Sequence, residues 1–280
     1  MRASPDYVVI GHATLDLLPD GRTTPGGTVT YAGLTVASLG LRVGIVTSAP
    51  EPPTFDDDAI AVHCRPSAQA TVYENIQTPT GRRQYLRAAA QPLASSDVPT
   101  EWAQARIVHL GPLTQEVDPQ MIRAYPQALL GVTPQGWLRA WDETGLVHSV
   151  GWSHDWQLLR AADVVVLSPE DLGNDERELT RWRDHTELLV VTLGRRGAIV
   201  YYPGGEERVP AFDTVEVDPT GAGDVFAAAF LVRYDECRDL IEAARFANCA
   251  ASFVVAGVGA SNLPTRAQVE MRLLYGRTLA

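Results

Sequence analysis

Short unbroken hydrophobic runs alternate along this chain with segments whose apolar positions recur at helical spacing. Tyr7–Ile10, Val43–Thr47, Ile107–Leu110, Ala128–Thr133, Val164–Leu167 and Leu188–Leu193 read as buried strands. Thr28–Leu39, Pro119–Ala124, His154–Ala161, Asp175–Asp184, Ala222–Tyr234, Leu240–Ala256 and Arg266–Leu274 read as helices, the first stopped by Gly40. Strands that are apolar on both faces and separated by helices predict an α/β fold, a mostly parallel sheet covered on both sides. Ala198–Tyr202 reads as a later strand of the same sheet or its edge. Ala70–Gln77 and Arg82–Arg87 alternate more and flank Thr78-Pro79-Thr80-Gly81, which predicts a hairpin with a Pro/Gly turn standing off the sheet as a flap. No repeat or low-complexity linker marks a boundary, so one domain over residues 1–280 is expected.

Composition narrows the chemistry. The net charge is −11 and no block of basic residues occurs, which argues against a nucleic-acid or anionic-membrane surface. Asp56-Asp57-Asp58 reads as a solvated loop. Cys64, Cys237 and Cys249 are odd in number and widely spaced, suggesting neither a disulfide framework nor a metal site. With no signal-like stretch at the start and no apolar run long enough for a bilayer, a cytoplasmic location is expected. All 23 basic residues are arginine. A Walker A loop, a protein-kinase strand lysine and a Schiff base each require Lys, so none of these is available to this chain. Phosphate charge must instead be met by Arg, backbone N–H groups or metal.

The most informative stretch is Asp218-Pro219-Thr220-Gly221-Ala222-Gly223-Asp224, followed by the apolar Val225–Leu231. A glycine-rich turn opening a helix gathers unpaired N–H groups at the positive end of the macrodipole, which favours an anion. A carboxylate on the first turn, Asp224, is placed to take a proton from a hydroxyl while the amides of Gly221, Ala222 and Gly223 hold a transferring phosphoryl group. Asp224 alone would also fit an ordinary helix cap. The cap reading leaves the second acid and the intervening glycines unexplained.

On these residues the chain resembles the ribokinase (PfkB) family of carbohydrate kinases almost from end to end. The likeness rests on the Asp218–Asp224 turn, Gly26-Gly27 before a helix, Thr192-Leu193-Gly194-Arg195-Arg196-Gly197, Asn248, and Gly257-Val258-Gly259-Ala260. The resemblance implies a small β lid built from segments near 13–25 and 69–90. It makes Asp224 the base and the Gly221–Gly223 amides the anion hole. Asp218 and Thr220 would lie near a monovalent-cation site taking K⁺. Thr192, Gly194, Arg196, Gly197, Asn248 and Gly257 would bound ATP. Asp16, Gly26 and Gly27 would serve the acceptor.

Two departures from the family pattern bear on specificity. Where the family carries Asn-x-x-Glu for Mg²⁺ and phosphates, this chain has Ser168-Pro169-Glu170-Asp171; Asp171 and Glu170 keep the acid with a shorter reach, or the segment simply starts a helix. Tyr31 stands where ribokinase-like members usually have an Asn that holds sugar hydroxyls. Pro25-Gly26-Gly27-Thr28, Gln135-Gly136-Trp137-Leu138-Arg139 and Pro219 are similar to the inositol-kinase branch. Gln135 and Arg139 either reach the acceptor or start a loop with Trp137 packed on the core. The expected activity is ATP- and Mg²⁺-dependent phosphorylation of a small polyol or sugar, myo-inositol or a relative. A nucleoside kinase of the same fold and a catalytically silent polyol or nucleotide sensor are the alternatives. A two-stranded lid would leave a free edge, which suggests a homodimer.

Overall fold

A computed structural model describes residues 4–78 and 81–279. The turn expected at Pro79 and Thr80 lies outside the described residues. Fifteen strands and five α-helices are assigned among the described residues. The strands are β1 (Tyr7–Ile10), β2 (Thr14–Leu17), β3 (Thr23–Gly26), β4 (Val43–Ala49), β5 (Ile60–Pro66), β6 (Thr71–Thr78), β7 (Gly81–Ala88), β8 (Ile107–Leu110), β9 (Leu129–Val132), β10 (Arg139–Trp141), β11 (Val147–Ser149), β12 (Val164–Leu167), β13 (Leu189–Thr192), β14 (Ala198–Tyr202) and β15 (Gly205–Val209). The helices are α1 (Thr28–Ser38), α2 (Glu176–His185), α3 (Ala222–Cys237), α4 (Leu240–Val254) and α5 (Arg266–Tyr275).

Nine strands form one sheet in the order β15-β14-β13-β12-β9-β8-β1-β4-β5. Pairing is parallel from β13 through to β5, while β14 and β15 are antiparallel additions at one edge. The strands that read as continuous apolar runs are those buried on both faces: every residue of β1, β8, β9 and β12 is buried. Alternate residues feed two cores. Tyr7 and Val9 face the layer of α1, α3, α4 and α5, whereas Val8 and Ile10 face the opposite layer. Because β1 lies between β4 and β8, the chain reverses its winding there, and the crevice beyond the strand ends at such a reversal is where α/β sheets bind ligands.

The first layer is organised by α3. Its residues Val225–Val232 are all buried, and an α-helix that is apolar all round can only be an interior element. It packs between the sheet, α1 and α4. The second layer is different. Pro119–Arg123 and Trp156–Ala161, expected as α-helices, are 3₁₀ turns, started by the Asp118 and Asp155 carboxylates that accept from the Gln120 and Gln157 amides. Segments of five and six residues are too short for stable α-helical hydrogen bonding, so packing of Met121, Ile122, Leu158 and Leu159 fixes the tighter turn instead. Tryptophans fill the remaining depth. Trp152 lies 5.6 Å from Trp137, 5.5 Å from Trp182 and 6.3 Å from Trp156, between ring centres.

The lid is larger than a two-stranded flap. It is a four-stranded sheet ordered β3-β2-β6-β7, with β2 parallel to β6 and antiparallel to β3. The short, polar β2 and β3 carry no apolar run that would reveal them in the sequence. The two lid edges differ. Pro25 on β3 cannot donate a ladder hydrogen bond, and β7 is met at its outer side by the loop between β10 and β11: Leu86 N donates to Gly145 O at 2.8 Å. The β7 edge is thus covered, while β3 is the other edge strand and has β2 as its ladder partner. No helix among the described residues is long and apolar enough to cross a membrane.

Phe230 is fully buried in α3, 6.2 Å from Phe226 and 5.9 Å from Tyr234 between ring centres. Phe230→Ala is expected to lower stability by about 3–5 kcal/mol, read as a reduced midpoint in urea unfolding.

Candidate active site

Asp224 sits on the first turn of α3, where the left-handed Gly221 (φ 79°) turns the chain into the helix. The carboxylate is half-buried in the crevice beyond the strand ends. Burial pushes its pKa up to about 6, and the Asp171 carboxylate adds to that rise. The Thr28 hydroxyl, which donates to Asp224, and the Arg139 guanidinium pull the other way. Thr28 is itself the first residue of α1 and is buried, so two helix N-termini and the acid share one spot. The result is a carboxylate that is ionised at neutral pH and basic enough to accept a proton from an alcohol.

The anion-binding turn differs in one detail from the expectation. Ala222 N donates to Pro219 O at 3.2 Å, so that amide closes the turn instead of facing outward. Gly223 is exposed with open space around the position a side chain would take, leaving its side of the turn accessible. Tyr31 lies beneath. Its ring is buried against Gly221, and a Cβ at Gly221 would overlap it. Burial, followed by the Asp16, Asp218 and Asp224 carboxylates, pushes the Tyr31 hydroxyl up to about 12. Tyr31 is thus a neutral floor that brings the two ends of the Asp218–Asp224 turn and the lid acid Asp16 around one ring.

The inner face of the lid carries the residues expected on the acceptor side and further polar side chains beside them. Asp16 on β2 lies against Gly26, which with Gly27 leads into α1. Asn75 Nδ2 on β6 donates to Asp16 Oδ1 at 3.3 Å, and Gln84 Nε2 on β7 donates to Asn75 Oδ1 at 3.0 Å. This row of amides and a carboxylate runs across three strands. Tyr73, two residues before Asn75 and hence on the same face, donates from its hydroxyl to Leu113 O at 2.6 Å. Arg139 donates to the Tyr73 hydroxyl and acts on Asp224 as well, so its guanidinium spans from the lid to α3. Gln135 is not on this face: its Nε2 donates to Asp171 Oδ1 at 2.8 Å. Trp137 packs in the second core, as the alternative reading of that loop expected, yet Arg139 beside it still enters the site.

The donor-side residues lie along the neighbouring strand ends. Thr192 ends β13, and Gly194 and Arg196 are exposed on the turn that Leu193 N closes onto Gly197 O at 2.7 Å. Gly197 packs directly on the backbone of Val209–Ala211. Asn248 reaches the same segment from α4, its Nδ2 donating to Val209 O at 3.0 Å and Pro210 O at 3.2 Å. Asn248 and Gly197 therefore converge, but the Asn248 N–H groups are held by the protein. Gly257 follows α4 in the loop that meets Asp218, whose Oδ1 accepts from Thr220 N and whose Oδ2 accepts from Gly259 N, each at 3.0 Å.

Among the described residues no three His, Cys, Asp or Glu side chains gather as a metal cluster. Asp171, Glu170 and Asp218 are thus not a joint ligand set. Ser168–Asp171 does not start a helix either. Asp171 Oδ2 accepts from Ser168 N and Oγ, both at 2.8 Å, making a closed turn, while α2 begins later with Asp175 as its cap. One carboxylate facing the Asp224 side suits Mg²⁺, which keeps several waters and binds chiefly to substrate phosphates. The sequence reading missed Thr28, Tyr73, Asn75 and Gln84. Thr28 reads as a helix-start residue, and polar residues on short strands acquire a common face only once the lid is assembled.

Gly221→Ala would place a side chain at positive φ and into the Tyr31 ring. A loss of about 1–3 kcal/mol from backbone strain alone is expected in urea unfolding, with partial recovery when Tyr31→Ala removes the overlap.

A family model described as pfkB family carbohydrate kinase matches residues 154–266, which hold the donor-side turn, the Asp218–Asp224 segment, α3 and α4. The chain is 25% identical over 270 residues to the cytidine kinase of Thermococcus kodakarensis, covering 86% of this chain and 92% of that protein. It is 36% identical over 146 residues to inositol 3-kinase of Zea mays, covering 51% of this chain and 37% of that one. In fold it is similar to a pyrophosphate-dependent kinase of the ribokinase family solved with a pyrophosphate analog and myo-inositol, at TM-score 0.73 and 22% identity, over 94% of this chain and 99% of that one. With the acid-bearing glycine turn, the parallel sheet and the β lid in place, these likenesses support a carbohydrate kinase of the ribokinase (pfkB) type, a phosphotransferase with an alcohol group as acceptor.

Proposed function

We propose that this kinase transfers the terminal phosphoryl group of ATP to a hydroxyl of a small polyol, myo-inositol or a close relative. The observation that carries the reading is the polar row Gln84–Asn75–Asp16 facing Arg139 and Asp224. Amides and carboxylates along a lid suit an acceptor with several hydroxyls around a ring, since each hydroxyl both donates and accepts. The relatives named for inositol and myo-inositol support the same class.

In this reading the ionised Asp224 takes the proton from the attacking hydroxyl at a carboxylate oxygen. The amides at Gly221 and Gly223, with the N-terminal end of α3, hold the transferring phosphoryl group, and exposed Arg196 on the donor-side turn meets donor phosphate. Thr192, Gly194, Gly197, Asn248 and Gly257 shape the donor side, and Asp16, Gly26, Gly27 and Arg139 the acceptor side. Gln135 acts one step back by orienting Asp171. Asp171 would hold Mg²⁺, which would neutralise charge on the donor phosphates, and the Asp218 loop would hold K⁺. The lid excludes water so that phosphate passes to the acceptor and not to solvent.

A nucleoside acceptor is the second reading, favoured by the end-to-end likeness to a cytidine kinase. Purified protein is to be assayed with Mg²⁺ and K⁺, with ATP or pyrophosphate as donor, against myo-inositol, common sugars and nucleosides. Turnover with myo-inositol and ATP supports the proposal. Turnover confined to nucleosides replaces the acceptor, and turnover confined to pyrophosphate replaces the donor. Donor binding without product under every condition supports a silent sensor. Asp224→Asn is expected to lower kcat by about 10²–10⁴-fold, and near-normal activity would remove Asp224 as the base.

The raised pKa sets two further expectations. Activity should fall on the acid side with a midpoint near pH 6, where Asp224 gains its proton, and this limb should be missing from the residual rate of Asp224→Asn. The sign for stability is opposite. A carboxyl with a raised folded pKa favours folding fully below its unfolded value of 3.8, and that favour is lost as pH rises through about 6. Asp224→Asn should therefore be the more stable protein at pH 8, by up to about 3 kcal/mol, with the gain vanishing near pH 4 in urea unfolding.

A further inference from the structure

The short hairpin β10–β11 links three parts of the molecule that its length would not suggest. Its first residue, Arg139, pairs with Ser149, and its guanidinium donates to the Tyr73 hydroxyl of the lid and acts through its charge on Asp224 of α3. Its backbone at that point is anchored, because Gln115 Nε2 donates to Arg139 O. Gln115 holds a left-handed conformation (φ 62°), a sparsely populated one for a side-chain-bearing residue. The loop around it is locked in turn. Leu113 N and Thr114 N donate to the buried Glu116 carboxylate, and Tyr73 donates to Leu113 O.

At its other end the hairpin grips the lid. Leu86 N donates to Gly145 O at 2.8 Å, Tyr85 and Leu146 form an antiparallel bridge, and Arg87 Nη1 donates to Thr144 O at 3.1 Å. Gly145 is required there. Its φ is 86°, and a Cβ would overlap the Leu86 carbonyl oxygen. The tip is stiffened by Asp142 Oδ1, which accepts from Thr144 N and Leu146 N. One short antiparallel ladder thus carries an active-site arginine at its base and the outer lid strand at its tip.

We propose that the β10–β11 hairpin is a strut that couples the position of the lid to the position of Arg139, with Gly145 as its positioning residue. The lid cannot move away from the site without drawing on the ladder whose base holds Arg139, so water exclusion and placement of the arginine beside Asp224 occur together. The inference rests on the site described under the proposed function, and its first test needs no turnover. Arg139→Met leaves the tip untouched. Its expected effect is faster hydrogen exchange at the Leu86 amide, by about fivefold or more, whereas unchanged exchange there would overturn the strut even if the protein proves to be a kinase. The second test is a double-mutant cycle. Gly145→Ala is expected to lower kcat/KM for the acceptor about tenfold, and Arg139→Met/Gly145→Ala should be no worse than Arg139→Met alone. Sites with independent roles at this separation multiply their losses, and multiplied losses would overturn the proposal.

Discussion

A helix as apolar as α3 exists only between other elements, and its first turn is therefore carried into the interior along with Asp224. That forced burial sets the acid's chemistry. Water is removed from around a carboxylate that a surface cap would leave at its ordinary acidity. The structure returns only part of the lost solvation, through the Thr28 hydroxyl and the Arg139 guanidinium. Tyr31 completes the arrangement from below, since a buried phenol stays neutral and adds no competing charge beneath the glycine turn. The aromatic ring supports the turn by packing against Gly221.

The parts of the fold that were legible beforehand are those whose burial is symmetrical. Strands such as Tyr7–Ile10, Ile107–Leu110 and Val164–Leu167 sit between two helical or turn layers, so every position is apolar and their bounds are written in the residues. β2, β3 and β5 are not buried in that way. Thr14–Leu17 and Thr23–Gly26 stand in the lid, where all but Thr14 and Gly26 are half-buried or exposed, so neither carries a continuous apolar run, and Pro-Gly in β3 reads as a turn. The Asp218–Asp224 turn could be read because its chemistry is contiguous. Asn75, Gln84, Tyr73 and Thr28 could not, because their meaning depends on strand register and on which face each presents. Arg139 fell between these cases: its neighbour Trp137 enters the core as a purely structural reading would have it, while Arg139 itself emerges one residue after the 3₁₀ turn and enters the site.

The absence of lysine has a structural echo. Many of the arginines are spent on ion pairs and ring contacts, such as Arg233 with Glu236 and Glu242, or Arg272 over Phe253. The planar guanidinium suits this double use better than an ammonium group would, because it stacks and donates in fixed directions at once. Arg139 likewise serves two groups, donating to the Tyr73 phenol and acting through its charge on the Asp224 carboxylate.

The crowded indoles of the second layer carry an optical consequence. Trp137, Trp152, Trp156 and Trp182 stand within energy-transfer range of one another in a region built to be rigid, so light absorbed by any of them is shared and their emission follows the integrity of that layer. Trp141 is set apart, partly exposed on the hairpin that holds the lid. The hairpin that meets the outer lid strand thereby carries its own indole, partly in solvent, beside the buried ones of the second layer.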